Sequence, residues 1–196
     1  MKLVSLFFIG ISIFLALSFH SLSAGDSIRA KDNMITTKQG DGLLGKQLPA
    51  FQLTSASGVT YNSEQLKGKL VVMNLWFIAC KPCIIEMPEL NRLVEQYSKD
   101  TNIVFLAPAL DKTAAIQEFL KEKEFRYTIL PDARPFIMQD LGVNGYPTHL
   151  IADASGKIIY HTTGFNPGRD GQGSTVDHLE EEIKKAYPNN FNKNRK

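Results

Sequence analysis

A chain of 196 residues with 22 basic and 20 acidic side chains is nearly neutral, and charges of both signs are dispersed along it. This balance argues against a nucleic-acid partner, because nucleic-acid-binding proteins concentrate Lys and Arg on one surface. Once an N-terminal segment is set aside, the remaining length suits one domain with an adequate hydrophobic core.

The N-terminus carries the features of a secretory signal. Met1 and Lys2 precede an apolar run over residues 3–19, and small residues follow before the chain turns polar. We therefore predict a signal peptide at 1–24, which places the rest of the chain in the periplasm or another extracytoplasmic compartment, where disulfide chemistry operates. The run approaches the length of a short membrane span, so an uncleaved membrane anchor is the alternative.

Residues 25–41 are polar and carry few large apolar side chains. Such a segment cannot bury enough surface to offset the entropy of ordering, so the composition predicts a flexible tether. An extra edge strand around 34–37 is the alternative. The domain itself is predicted at 42–190, and the basic segment 191–196 is predicted to be a disordered tail.

The first elements of the domain are a hairpin and a buried strand. Residues 51–54 and 59–61 flank a turn sequence that contains Gly58, which predicts a β-hairpin. Residues 70–77 are almost continuously apolar, which is typical of a strand covered on both faces of an α/β sheet.

The helix that follows is predicted to begin near Cys80. Its core stripe recurs at spacings of three and four residues. The stripe consists of Met87, Leu90, Val94 and Tyr97. Pro88 lies inside this helix, where its missing N–H predicts a kink.

Strands and helices then alternate, as expected of an α/β fold. Asp111 or Thr113 is the predicted cap of the second helix. The remaining elements are strands at 103–107 and 127–130, helices striped by Ile116, Phe119 and Leu120 and by Val176, Leu179, Ile183 and Ala186, a short helix at 136–141 ended by Gly142, and a hairpin formed by 148–152 and 157–162.

Cys80 and Cys83 are the two cysteines of the chain, and they form a CxxC pair directly after the buried strand. The first turn of a helix has unpaired backbone N–H groups and the positive end of the helix dipole, and both stabilise a thiolate. Cys80 is therefore the predicted nucleophile, with Cys83 as its partner.

Other uses of a CxxC pair fit less well. A structural disulfide works by closing a loop, and this loop is too short to remove much entropy from the unfolded chain. A zinc site needs about four ligands, and His149, His161 and His178 show no paired metal spacing. Haem attachment requires His after the second cysteine, where this chain has Ile84. Redox exchange without a metal is the favoured chemistry.

Several short motifs occur between residues 42 and 188. They are Leu66-Lys67-Gly68-Lys69 before the central strand, Asn74-Leu75-Trp76 within it, Cys80-Lys81-Pro82-Cys83, Glu86-Met87-Pro88 and Tyr146-Pro147-Thr148. Together they resemble the thioredoxin fold, and more narrowly the exported thiol-disulfide oxidoreductases related to TlpA and ResA. The resemblance implies an α/β thioredoxin-like fold in which helices flank a central mixed β-sheet, with an N-terminal β-hairpin and a central βα insertion.

In thioredoxin-like proteins the proline that matches Pro147 is cis and lies against the active-site disulfide. The resemblance therefore implies a cis bond before Pro147, an isomer that is uncommon even for proline. It also implies a substrate-binding role for Tyr146, Pro147 and Thr148, whose loop would pair with an extended client segment. Without the resemblance, an ordinary trans turn would be the expectation.

Glu86 follows Cys83 by three residues, which places the two on adjoining turns of one helix face. From there it can shuttle a proton for the resolving thiol. The resemblance supports this role, because TlpA and ResA relatives often carry an active-site Glu at this position. A solvated helix acid is the alternative.

Three further positions, Trp76, Lys81 and Pro82, are expected to tune the site. Lys81 lies between the cysteines, and its positive charge favours a thiolate. An exposed lysine with only a small effect is the alternative.

Two positions depart from thioredoxin itself. Thioredoxin has a buried acid where this chain has Asn74, and an amide cannot exchange a proton at neutral pH, so that role is vacant or has passed to Glu86. Ala79 stands in place of a familiar Trp, which predicts a less bulky surface around Cys80.

The predicted activity is dithiol–disulfide exchange in which Cys80 attacks a client disulfide and Cys83 resolves the mixed disulfide. The resemblance implies a reductant, with cytochrome c maturation or general extracytoplasmic disulfide reduction as its destination. The expected partners are disulfide-containing exported proteins and a membrane-bound or periplasmic electron donor. No cofactor beyond the redox-active Cys80–Cys83 disulfide is expected, and the membrane is a partner only if the N-terminal segment stays uncleaved.

Two other functions are weighed against this one. A peroxiredoxin-like peroxidase would need its cysteine in a loop containing Pro and Thr, which the residues before Cys80 do not provide. A thioredoxin-like copper carrier would need a histidine ligand, and His149 lies close to Pro147 in sequence, but a surface or sheet-face position is favoured for it. His161, His178 and Arg169 are expected to be ordinary surface residues.

Overall fold

The computed structural model describes residues 42–168 and 173–188. The predicted signal peptide or anchor, the tether with its alternative strand, Arg169 and the predicted tail lie outside the described residues. Within the two described ranges, no helix combines the length and apolar character needed to cross a membrane.

An antiparallel hairpin opens the fold, as predicted. Its strands are β1 (Gln52–Thr54) and β2 (Thr60–Asn62). The turn is closed by Ser55, whose hydroxyl accepts a 3.0 Å hydrogen bond from the backbone of Val59. Gly58 adopts a φ of 88° there, a conformation that side chains disfavour.

The central sheet has five strands in the order β5-β4-β3-β6-β7. They are β3 (Leu70–Leu75), β4 (Ile103–Pro108), β5 (Thr128–Leu130), β6 (Thr148–Ala152) and β7 (Ile158–Thr163). Strand β3 is parallel to β4 and antiparallel to β6, so the sheet is mixed. Every residue of β3 is buried, which confirms the predicted central strand.

Each face of the sheet has its own core, because alternate residues of a strand point to opposite faces. Val72 and Trp76 pack on one face with the helices α1 (Lys81–Gln96) and α3 (Thr175–Ala186). Met73 and Leu75 pack on the other face against the hairpin and the segment 136–143. The fold is therefore the predicted thioredoxin-like arrangement, with β4, α2 (Thr113–Glu122) and β5 between the CxxC helix and β6.

Helix α1 follows the predicted stripe with one change. Met87, Leu90 and Tyr97 are buried as expected. Leu93 is also buried, whereas its neighbour Val94 is only half-buried.

The predicted cap of α2 is wrong. The residue before the helix is Lys112, and its side chain makes no capping bond. Asp132, which follows β5, instead accepts hydrogen bonds from the backbone nitrogen and hydroxyl of Thr113, at 3.1 and 3.0 Å. A carboxylate that is distant in sequence thus satisfies this helix end, and Asp111 is left for another contact.

The later elements agree with the predictions in place and type. The short helix is a π-helical segment, Phe136–Asp140, and Gly142 beyond it has a φ of 68°. Strands β6 and β7 form the predicted antiparallel hairpin. In α3, Val176, Leu179 and Ile183 are buried.

Candidate active site

Cys80 and Cys83 are joined by a disulfide, with their Cα atoms 5.3 Å apart. Cys80 is the N-cap of α1, and its sulfur accepts a hydrogen bond from the backbone nitrogen of Cys83 at 3.3 Å. On reduction, the same N–H and the positive end of the helix dipole stabilise a negative charge on this sulfur.

The two cysteines differ in their access to solvent. Cys80 keeps 5% of its surface exposed, whereas Cys83 keeps 1% and lies on the buried side of α1. A disulfide of another molecule would therefore meet Cys80 before Cys83.

The surface around Cys80 is small and partly aromatic. Ala79 and Lys81 are exposed, and Pro82 is half-buried in the first turn of α1. The rings of Phe77 and Tyr146 meet edge to face with 5.3 Å between their centroids. This aromatic pair joins the loop before the cysteines to the loop before β6.

Trp76 belongs to the core beneath the site and not to its surface. Its ring is fully buried and packs against Phe119 and Phe125, with centroid separations of 5.4 and 5.6 Å. The cysteines lie in the same core.

The loop that contains Pro147 lies beside the cysteine loop. Leu75, at the end of β3, pairs with Thr148 at the start of β6, so the residues that follow Leu75 run next to those that precede Thr148. The Tyr146–Pro147 peptide bond is cis. The Thr148 hydroxyl donates to the carbonyl of Gly145 at 2.9 Å, which fastens the loop to its own strand.

Asp111 holds the cysteine loop from the other side. Its Oδ2 atom accepts a 2.7 Å hydrogen bond from the backbone nitrogen of Ile78. Sequence reasoning assigned Asp111 to a helix cap and missed this role. The position of an acid directly after β4 was a signal, since β4 lies next to β3 and ends at the same edge.

Glu86 is buried, with 1% of its surface exposed, so the alternative of a solvated helix acid is wrong. Its Oε1 atom accepts a hydrogen bond from Nδ2 of Asn74 at 2.8 Å. Its Oε2 atom lies 3.1 Å from Nε2 of His149. Three polar side chains thus meet in the core beneath the CxxC helix.

His149 was predicted to occupy a surface or a sheet-face position. It lies on the sheet face and is fully buried. Asn74 and His149 are paired residues of β3 and β6, so their side chains share a face, and Nδ2 of Asn74 is 3.4 Å from Nδ1 of His149. Both ring nitrogens of His149 have protein partners, so neither is free to bind copper. Among the residues that the structure describes, no group of three or more His, Cys, Asp or Glu side chains is placed to hold a metal.

Tyr127 lies close to this cluster. Burial raises the pKa of its hydroxyl well above the usual value, and the negative charge of Glu86 raises it further. Tyr127 is therefore neutral at physiological pH.

His161 and His178 were both predicted to be ordinary surface residues, and the prediction is confirmed for His178. His178 is exposed on α3 and lies 3.8 Å from Glu181. His161 is half-buried on the edge strand β7.

Comparisons with known proteins agree with this geometry. The Redoxin family model matches residues 43–182. The thiol-disulfide oxidoreductase ResA of Bacillus thuringiensis subsp. konkukian is 32% identical over 153 residues, which are 78% of this chain and 83% of the relative. The thioredoxin-like protein YneN of Bacillus subtilis is 33% identical over 58% of this chain and 68% of its own length.

Solved structures give the same result. A Chlorobium tepidum protein assigned as the thiol:disulfide interchange protein DsbE superposes with a TM-score of 0.63 and 27% identity, covering 73% of this chain and 96% of its own. A Neisseria meningitidis protein assigned as a thioredoxin gives a TM-score of 0.60 and 29% identity, covering 74% and 93%. With a CxxC disulfide at the N-terminus of α1, the chain belongs to the Redoxin family and is a ResA-like thiol-disulfide oxidoreductase.

Proposed function

We propose that this protein is exported and acts as a reductant, transferring two electrons from the Cys80/Cys83 dithiol to disulfides of client proteins. The observation that supports the exchange itself is the layering of the site. A slightly exposed sulfur caps the helix, a buried sulfur lies behind it, and a buried carboxylate follows one turn later.

The exchange proceeds in two displacements. The Cys80 thiolate attacks one sulfur of the client disulfide, forms a mixed disulfide and expels the first client thiolate. The Cys83 thiolate then attacks the Cys80 sulfur, forms the internal disulfide and expels the second client thiolate. Two electrons leave the protein, and the client ends with two thiols once its thiolates take up protons.

Cys83 must lose its proton before the second displacement, because the thiolate is the nucleophile. Glu86 is the proposed acceptor, since it is the acid one helical turn from Cys83 on the same face. The transfer leaves a thiolate on Cys83 and a neutral carboxyl on Glu86. Glu86 then releases the proton, which restores the starting charge.

Clients are proposed to bind as extended segments along the Tyr146-Pro147-Thr148 loop. The half-exposed rings of Phe77 and Tyr146 supply apolar contact area beside Cys80. Lys81, exposed in the first turn of α1, adds positive charge that favours the thiolate.

Export and direction are parts of the same proposal. The first 24 residues support export, with cleavage or retention as an anchor as the two possible fates. A membrane-bound or periplasmic donor would recharge the dithiol, and cytochrome c maturation is one proposed destination for the electrons. Direction follows from the reduction potential relative to that of the compartment.

A trapping experiment tests the exchange. Cys83→Ser should accumulate mixed disulfides through Cys80, seen as complexes on a non-reducing gel after acid quenching. The matched control Cys80→Ser should trap nothing and lose insulin reduction. If Cys80→Ser still reduces insulin and Cys83→Ser captures no client, the proposed mechanism is wrong.

A redox titration of the full-length chain tests the direction. Trp76 is the single tryptophan and lies in the core with both cysteines, so its fluorescence is a built-in reporter. A reductant should have a potential nearer to that of thioredoxin, about −270 mV, than to that of a strong periplasmic oxidant, about −120 mV. A value near the latter would reverse the proposed direction.

A further inference from the structure

The hydrogen bonds around Glu86 fix the proton arrangement of the cluster. The side-chain nitrogen of Asn74 carries two hydrogens and accepts none. One hydrogen points to Oε1 of Glu86 at 2.8 Å and the other to Nδ1 of His149 at 3.4 Å. Nδ1 is therefore the ring's acceptor, so the hydrogen of a neutral His149 resides on Nε2 and is donated to Oε2 of Glu86, 3.1 Å away.

Moving a hydrogen between Glu86 and His149 puts two donors against each other. A protonated Glu86 that donates to Nε2 would move the ring hydrogen to Nδ1, where it would face the amide hydrogens of Asn74. A doubly protonated His149 would do the same. Turning the Asn74 amide would relieve that contact, but it would then set the amide oxygen against Oε1 of Glu86. The geometry thus selects a His149 ring that accepts at Nδ1 and donates from Nε2, so that each oxygen of Glu86 accepts one hydrogen bond within the cluster.

A buried carboxylate is costly unless donors compensate for its lost water. Each oxygen of Glu86 has one such donor, from Asn74 and from His149. A carboxylate offers about four acceptor positions, so these two bonds leave room for a proton from elsewhere.

We propose that His149, with Asn74, is a positioning residue for the resolving step: it keeps Glu86 ionised and oriented, and so sets the pH at which Cys83 becomes a nucleophile. The inference deepens the proposed function and rests on it. His149 itself touches neither client nor sulfur in this scheme. The proton passes from the Cys83 thiol to Glu86, while the donors from Asn74 and His149 stay in place.

The other titratable groups on this side of the sheet do not account for a pH dependence of the resolving step. Burial raises the pKa of Tyr127 and of Tyr160, so both remain neutral through the working range. Glu182 on α3 also faces this side of the sheet, and its charge acts on Tyr160. The cysteines of α1 are the groups whose reaction is followed.

The resolving step can be isolated in the full-length chain. Cys80 is first loaded with thionitrobenzoate at low pH, and release of the coloured thiolate by Cys83 is then followed after jumps to a series of higher pH values. Wild type should show a sigmoidal pH profile. The Cys83→Ser variant should release nothing.

His149→Phe removes the donor to Glu86 while keeping a ring in the core. The buried carboxylate then favours its protonated form, so the profile should move to higher pH and the release rate at neutral pH should fall at least about tenfold. His149→Gln keeps an amide donor and should stay close to wild type. The matched control His178→Gln, exposed on α3, should leave the profile unchanged.

A double-mutant cycle separates positioning from packing. In a Glu86→Gln background, His149→Phe should cause no further shift of the pH profile, because there is no longer a carboxylate for His149 to stabilise and orient. If His149→Phe does not unfold cooperatively, His149→Asn carries the test, since its shorter amide cannot reach Oε2, and the same upward shift is expected.

The two proposals fail separately. If wild type releases no thionitrobenzoate, the proposed exchange itself is wrong. If wild type releases it normally and the His149 variants keep its pH profile, or if they shift it equally in the Glu86→Gln background, only the role of His149 is overturned.

Discussion

The backbone nitrogen of Ile78 donates a 2.7 Å hydrogen bond to Oδ2 of Asp111, which ties the loop before the cysteines to the loop after β4. Backbone bonds continue the connection, since the nitrogen of Leu110 donates to the carbonyl of Trp76 at 3.1 Å. The cysteine loop is therefore fixed on the β4 side, and Cys80 is presented from a braced turn.

Asp111→Ala should lower the free energy of unfolding by about 1.5–3 kcal/mol, because a half-buried N–H loses a charged acceptor. It should also slow exchange at Cys80 through a looser loop. Asp111→Asn keeps an oxygen acceptor and should recover most of both losses. Urea unfolding and insulin reduction give the two measurements, and an Asp111→Ala protein with wild-type values for both would contradict the bracing role.

Local sequence patterns predicted most of the strands, helices and motif positions of this protein. They did not predict the side-chain contacts between residues that are distant in sequence. The apolar run of β3, the helix beginning at Cys80 and the spacing of Glu86 from Cys83 are all written within a few residues of each other. The partners of Glu86 depend instead on the register between β3 and β6, which pairs Asn74 with His149 across 75 positions of sequence.

Burial of His149 illustrates what was missing. A lone histidine in a strand is equally compatible with a surface or a sheet-face position. The sequence alone does not show which residue of the neighbouring strand pairs with it. Strand alternation does place His149 on the same face as Ile151, which is in the core with α1. The Asp111 contact is of the same kind, since it joins two loops only after β3 and β4 have paired.

Gly145 is required by the packing of Thr163. A Cβ atom at position 145 would lie 2.6 Å from Cγ2 of Thr163. Thr163 cannot easily turn away, because its hydroxyl is 2.7 Å from that of Thr148. Gly145→Ala should therefore lower the free energy of unfolding by about 1–3 kcal/mol and disturb the loop before Pro147.

Thr163→Ser supplies the matched rescue for Gly145→Ala. Serine lacks the obstructing methyl group but keeps the hydroxyl that meets Thr148. The double variant should regain most of the stability lost by Gly145→Ala in chemical denaturation. Strict additivity of the two changes would show that the steric conflict is not the cause.

The start of α3 carries a pH-dependent cap. Ser174 and Asp177 exchange hydrogen bonds, with the Ser174 nitrogen 2.8 Å from Oδ2 of Asp177 and the Asp177 nitrogen 3.0 Å from the Ser174 hydroxyl. The bonds from the Ser174 backbone and side chain lower the pKa of Asp177. A lowered folded-state pKa stabilises the fold above the unfolded-state value, and the benefit is lost as the pH falls through the folded-state value.

Asp177→Asn should therefore be less stable than wild type at neutral pH, and the difference should shrink as the pH falls from about 5 to about 2. Asp140→Asn, an exposed acid at the end of the π-helical segment, is the control and should show a smaller difference. Thermal unfolding at a series of pH values gives the comparison. A difference that grows on acidification would have the wrong sign for this cap.

Tyr146→Ala should separate client recognition from thiol chemistry. Removing the ring takes away half of the aromatic pair with Phe77, whereas the cap of α1 at Cys80 is untouched. Reduction of a protein disulfide such as that of insulin should slow by about tenfold, since a lost aromatic contact is worth roughly 1–2 kcal/mol, while thionitrobenzoate release at Cys80 should stay near wild type. Tyr61→Ala, a half-buried tyrosine of the hairpin, is the control for loss of a ring. Equal slowing with both disulfides would mean that Tyr146 supports the cysteine loop itself and not the client.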